Sequence, residues 1–350
     1  MTQLICGYPC HTGNDIRYSF SLGKQIVQQT LVIPGGGCSY YRSKKGKACT
    51  FCAFPGLTRA VTKGNGHEDF FGSWRLETKI YQMMFDTLTR GTKQVDRLAI
   101  FNGGSFFPKA EIPDDFQQYV CRQVARRSDI RQLLVECYPR FITRHKLLQT
   151  LDWLAGKQLV VAVGLESRDD RVRNQLLNKG IDIRIFEQKV KMMQAMGVKV
   201  AVYVFLKAPQ LTEKEAFDDV MNTLSYLHQL GVDEMMLSCA FVQENTPLES
   251  MYKAGTFRPP WLWTILHIIR EAQEKSWPLI VGGFNDTPPP VAGPSNCTHC
   301  DQILLDMIES SRRNGVLPEV MPPMCDCFNE WDKLMGESQP GGQKTECLSV

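Results

Sequence analysis

Three of the chain's thirteen cysteines fall in GGGCSYYRSKKGKACTFCAFPG, residues 35–56. Cys38 stands alone, ten residues intervene, and Cys49 and Cys52 then form a CxxC pair. A structural zinc ion takes four ligands in a tetrahedron. Three thiolates with no fourth close by suit a 4Fe–4S cluster in which one iron is left open. The amino and carboxylate groups of S-adenosylmethionine could chelate that iron. One electron from the cluster would then cleave the S–C5′ bond and release a 5′-deoxyadenosyl radical. The plainer readings are a zinc knuckle completed by a distant residue, or reduced thiols in a core, where free cysteine is common. The loop is glycine-rich and carries Arg42, Lys44, Lys45 and Lys47, which makes it a poor core segment.

A second set of thiols lies toward the other end. Cys297 and Cys300 form a CxxC, Cys325 and Cys327 a CxC, with 24 residues between the pairs. Four thiolates could hold zinc as a structural knuckle or an auxiliary iron–sulfur cluster. The sequence leaves both open, beside the bland reading of unliganded thiols. His299 and Cys347 are spare candidate ligands, and Cys6, Cys10 and Cys121 read as ordinary thiols.

These groups need a scaffold, and the chain alternates apolar runs with amphipathic segments. Strands are expected over 28–37, 97–104, 132–139, 158–167, 198–209, 233–243 and 278–283. Helices are expected over 114–127 and 143–157, over DRVRNQLLNKG and FEQKVKMMQAMG, after Thr212, and over 259–275. Thr212 and Glu215 have the spacing of a capping box, each side chain satisfying a free amide of the first turn. Near-continuous apolar strands alternating with helices mean a parallel sheet covered by helices. Six or seven such units imply an α/β fold, a parallel (β/α) partial or full TIM-like barrel, with a cysteine-containing C-terminal extension.

In such folds the carboxyl ends of the strands carry the chemistry. Gly36, Gly103, Glu136, Glu166, Lys207 and Gln243 fall there, and the three-cysteine loop follows the first strand. Asn102-Gly103-Gly104-Ser105 reads as a tight turn or as backbone that lets a ligand approach closely. Glu136 and Glu166 interrupt apolar strands, which is costly unless the carboxylate is paired or coordinated. A salt bridge across the barrel would serve as well as a ligand. Lys207 could bind a ligand or close an ion pair at the mouth, and Gln243 could hydrogen-bond a ligand or cap its strand. In RPPWLW, Pro259 and Pro260 start a helix while Trp261 and Trp263 pack. Arg122, Arg126, Arg127 and Arg131 read as a solvated helix face, with phosphate contact as the alternative.

Whole-chain properties narrow the field. The 350 residues are 43% hydrophobic and 22% charged, ordinary for a globular protein, with a net charge of +3 that does not by itself argue for a polyanionic partner. No run of 18 apolar residues occurs and no basic-then-apolar leader opens the chain, so a cytoplasmic protein with reduced thiols and no membrane partner is expected. Residues 1–27 are expected to be an N-terminal segment, 28–284 the barrel core, 285–335 a cysteine-rich metal-binding extension whose TPPPVAGPSNCTHCD stretch is proline-rich and irregular, and 336–350 a flexible tail.

A cysteine triad ending in CxxC after a first strand, with Phe51 between the last two cysteines, resembles the radical S-adenosylmethionine superfamily. The usual gap of three residues between the first two cysteines is ten here, which resembles the branch of the elongator catalytic subunit and the methylthiotransferases. IFNGGSFFPKAEIP, VECYPRFIT, VGLES…LLNKGI, YVFLKAP…TEKEA, VQENTPLE, FRPPWLW and GPSNCTHCD are similar to the radical subunit of archaeosine synthases. The chain departs from that pattern at Lys207-Ala208-Pro209, where the family has KPP, and at Cys137, where it tends to serine. The resemblance implies that Cys38, Cys49 and Cys52 hold the catalytic cluster. It implies that Asn102, Gly103, Gly104, Ser105, Glu136, Glu166, Lys207 and Gln243 line the S-adenosylmethionine site. It implies tRNA modification, with a lysine-attaching transferase and an electron donor as partners. Other substrates, or a non-catalytic iron–sulfur or zinc nucleic-acid-binding protein, are the alternatives.

Overall fold

The computed structural model describes residues 2–35, 37–45, 48–52, 76–283, 289–319 and 325–336. Gly36, Lys47, Cys347 and nearly all of the expected tail lie outside them. Nine strands form one sheet in chain order: β1 Thr2–Ile5, β2 Tyr8–Ser19, β3 Lys24–Val32, β4 Arg97–Phe101, β5 Gln132–Glu136, β6 Gln158–Glu166, β7 Lys199–Leu206, β8 Glu234–Cys239 and β9 Leu279–Val281. From β3 to β9 every pairing is parallel, and each of the seven falls on an expected strand. In the N-terminal segment β1 and β2 join β3 as antiparallel neighbours.

The parallel strands form because each is an apolar run covered on its outer face. The covering helices are α1 Ser39–Ser43, α2 Thr78–Thr89, α3 Asp114–Arg126, α4 Arg144–Leu154, α5 Ile183–Ala195, α6 Glu213–Leu230, α7 Pro247–Lys253 and α8 Leu262–Glu274. The capping box of α6 is present, with Thr212 accepting from the Glu215 amide and Glu215 from the Thr212 amide. The sheet ends at β9. Helices α9 Asp301–Asn314 and α10 Asp326–Gly336 follow it, and Asp301–Asn314 packs against both β2 and β9, toward opposite ends of the strand order. Arg312 on this helix pairs with Asp15 of β2 at 3.0 Å.

The curl is drawn shut at the amino ends of the strands. Arg97 opens β4 and Glu234 opens β8, four strands along, yet they pair at 2.6 Å with both side chains fully buried. Ser19, Ser21, Gln132 and Gln158 complete this polar floor. Above it the concave face is narrow-chained. Ala99, Leu134, Val160, Ala162, Ala201 and Met236 form a core of their own, flanked by Phe101 and Tyr203. Two-residue periodicity puts Glu136 and Gly164 on this same face. Small residues here leave space in the bowl that larger side chains would fill.

Candidate active site

The carboxyl ends of β3 to β8 open at the opposite rim. Cys38 sits just before α1, its carbonyl accepting from the Arg42 amide at 3.0 Å. The CxxC is held by a different part of the chain. Thr50 bonds through its amide to Leu177 O and through its hydroxyl to Leu176 O, so the loop leans on the wide helical turn Arg171–Leu176 that follows β6. All three thiols are half-buried. Burial pushes the Cys38 thiol up to about 11, helped by Glu111, and burial also raises Cys49, against the pull of Lys179.

Asn102-Gly103-Gly104-Ser105 lies directly against the Cys38 loop. A Cβ on Gly104 would stand 2.1 Å from a Glu111 oxygen and 3.1 Å from the Cys38 Cα. The carboxylate of Glu111, itself fully buried, accepts the Ser39 and Ser105 amides and so staples the two loops together. The Asn102 amide donates to Ser105 O, while its Oδ1 is buried and has no partner among the described residues. Glu111 was quoted in the sequence pattern without a role. Its importance rests on a contact across 72 residues, which no local signal carries.

Glu166 closes β6 with φ +71, just past a bulge opposite Tyr203 and Val204. Its carboxylate pairs with Lys179 at 2.6 Å. The pair lies over Gly164, where a Cβ would come within 2.5 Å of both groups and make them shift. Lys179 Nζ also sits 5.5 Å from the centre of the Phe51 ring, in the middle of the CxxC. Burial pulls the Lys179 ammonium down, but Glu166 and Cys49 outweigh it and hold the charge. Sequence reasoning quoted NKG but assigned Lys179 nothing.

Burial pushes the Glu136 carboxyl up to about 7, with the Tyr203 hydroxyl and Lys179 pulling it back. The folded state therefore holds a proton that the unfolded chain releases. Stability from this group is complete below pH about 4.5 and is lost as pH rises through about 7. The full effect is at most about 3 kcal/mol. Glu136→Gln cannot ionise, so it is expected to melt higher than wild type at pH 8 and nearly level with it at pH 5. Parallel melting curves at both pH values would refute this.

Two further sites stand apart. Lys207, at the end of β7 with φ +72, points its ammonium to Glu213. Glu213 also accepts from the Trp261 amide at 2.9 Å and the Thr264 hydroxyl, which commits the pair to the start of α8. Gln243 is buried beyond β8, next to a short antiparallel bridge between Val242 and Ala292 that brings the C-terminal segment across the rim. Cys297, Cys300, Cys325 and Cys327 converge so that their sulfurs all lie within 4.8 Å of one another. Among the described residues this is the one such group of three or more metal-ligating side chains, so the triad of Cys38, Cys49 and Cys52 is more widely spread.

The chain is 24% identical over 318 residues to an archaeosine synthase subunit beta of Methanosarcina acetivorans, covering 89% of this chain and 86% of the relative. It is 22% identical over 323 residues to the archaeosine synthase subunit beta of Thermococcus kodakarensis, covering 89% and 93%. These likenesses, which cover 89% of the chain, support a place in the radical S-adenosylmethionine superfamily. No family model matches. Among solved structures, a queuine lyase from Clostridium spiroforme bound to S-adenosylmethionine and queuine aligns with a TM-score of 0.49 at 16% identity, over 78% of this chain and 95% of that one. Three half-buried thiols and an amide oxygen that is buried and has no partner among the described residues lie near a bowl whose lining includes Ala99, Ala162 and Ala201.

Proposed function

We propose that Cys38, Cys49 and Cys52 hold a 4Fe–4S cluster and that the chain cleaves S-adenosylmethionine reductively to act in tRNA modification. The substrate would be a 7-deazaguanine base bearing a lysine, and the bond broken the lysine C–N bond, which leaves an amidine on the base. The observation that carries this reading is the likeness to two archaeosine synthase beta subunits over nearly the whole chain. When bound, such a cluster supplies the electron that breaks the S–C5′ bond.

The chain's own residues position the reactants. Asn102–Ser105 offers peptide groups and the Asn102 Oδ1 to the polar end of the cofactor, beside Cys38. Glu136 and Glu166 face the bowl as hydrogen-bond acceptors for hydroxyl groups. Lys179 orients the Glu166 carboxylate at 2.6 Å and sets a positive charge beside the CxxC, which favours thiolate there. The word "subunit" in the relatives' names supports a partner protein, for which the lysine-attaching transferase is the fitting chemistry.

The test is anaerobic reconstitution with iron and sulfide, then S-adenosylmethionine and dithionite, with 5′-deoxyadenosine as the product assayed. Wild type is expected to form it and Cys49→Ala to form none. Adding tRNA that carries the lysine-modified base should raise turnover and give the amidine. Wild-type protein with a full complement of iron that gives no 5′-deoxyadenosine would sink the radical reading. Product without any response to the tRNA would sink the substrate.

A further inference from the structure

We infer that Cys297, Cys300, Cys325 and Cys327 bind one zinc ion rather than a second iron–sulfur cluster, and that this ion anchors the start of α8. The sulfur positions decide the first part. Cys297 lies 3.5 Å from Cys300 and from Cys325, Cys300 lies 3.4 Å from Cys327, and Cys327 lies 3.3 Å from Cys325. Zinc–sulfur bonds of about 2.3 Å in a tetrahedron need sulfurs about 3.8 Å apart. A cubane cluster puts each cysteine on its own iron, with inorganic sulfide between them, so its cysteine sulfurs do not touch. Here each sulfur is in contact with two others and all four fit within 4.8 Å. Four thiolates with no position left for water make a closed, structural site.

The surroundings are those of a metal-bound thiolate set. The Trp263 indole donates to the Cys327 sulfur at 3.2 Å, and the Asn296 side-chain amide donates to Cys300 at 3.6 Å. Such outer donors orient ligands and spread their charge. The same Asn296 accepts the Leu262 amide at 2.7 Å through its Oδ1, capping α8 from one residue before the first ligand. Arg258 donates to Ser295 O at 2.7 Å and stacks on Trp261 at 4.0 Å, which places a cation beside the dianionic centre. The RPPWLW stretch is therefore the shell around this ion. Its helix start reaches on to Glu213, and through Glu213 to Lys207 at the rim. The zinc would fix a residue of the active face from outside the bowl.

The test needs no catalysis. Full-length wild type is purified anaerobically from cells supplied with both zinc and iron, and its metals are counted before any reconstitution. One zinc per chain is expected, with a zinc-edge X-ray absorption shell of four sulfurs at about 2.3 Å. The same zinc should persist in the Cys38→Ala/Cys49→Ala/Cys52→Ala variant, colourless and free of sulfide, and should be lost in Cys297→Ser. If the triple variant does not fold, the wild-type absorption shell decides alone. A brown triple variant holding iron and sulfide would overturn the inference, as would a zinc shell containing nitrogen or oxygen, or wild type with no zinc and four titratable thiols.

Discussion

Glu234→Ala is expected to lower stability by about 3–5 kcal/mol, because it strips the partner from a fully buried guanidinium. Arg97 makes its bonds to Glu234, Gln132, Ser19 and Ser21, and none of these groups reaches water easily. Burial alone would raise the Glu234 carboxyl, but Arg97 reverses that and holds it below the usual range. A depressed pKa gives stability that is complete at neutral pH and lost only as pH falls through the folded value. The defect should therefore be full at pH 7 and shrink in acid. Arg97→Met/Glu234→Leu removes both charges and should recover much of the loss, since it leaves no orphaned ion. Thermal melts of the two variants check this. Equal losses for single and double variants would mean that volume, not charge, holds the floor.

The floor also explains why the curl, unlike the strands, could not be read from residues in order. Each parallel strand is a short apolar run bounded by glycine or a polar residue, so β3 to β9 are legible one at a time. What bends the sheet is an arginine opening one strand and a glutamate opening another, 137 residues later. Either looks like an ordinary strand-end charge in sequence. β2 was hidden for a different reason. Its residues, YPCHTGNDIRYS, break alternation with Gly13, Asn14 and Asp15, and its support is pairing with β3 along nine positions. The helix Asp301–Asn314 has a regular buried stripe of Leu304, Met307, Ile308 and Ser311. The proline-rich stretch just before it reads as irregular and masks where the helix starts. At the rim, the residues that stood out by type were cysteines, glycines and in-strand carboxylates. Those that organise them, Glu111 and Lys179, sit in loops and reveal themselves only through contacts between distant segments.

Lys179→Ala is expected to cost about 3 kcal/mol and to cut cluster loading sharply, while Lys179→Ala/Glu166→Gln costs less than the single change. The reasoning is the same charge logic applied at the rim. Glu166 is 4% exposed and Lys179 is its bound cation at 2.6 Å, so removing the ammonium strands a carboxylate in a largely apolar bowl. That carboxylate also raises the Cys49 thiol, and Lys179 is what lowers it. Without Lys179, Cys49 is held as thiol more firmly and becomes a poorer iron ligand, since the thiolate is the ligating form. Glu166→Gln on its own leaves Lys179 near Cys49 and Cys52, so its thiols should stay easier to ionise. The two single variants are thus expected to move Cys49 in opposite directions, which a mere loss of packing would not do. Alkylation rates of apo-protein at rising pH, read at Cys49 by mass spectrometry, separate them. Shifts in the same direction would show that the pair is only a strut.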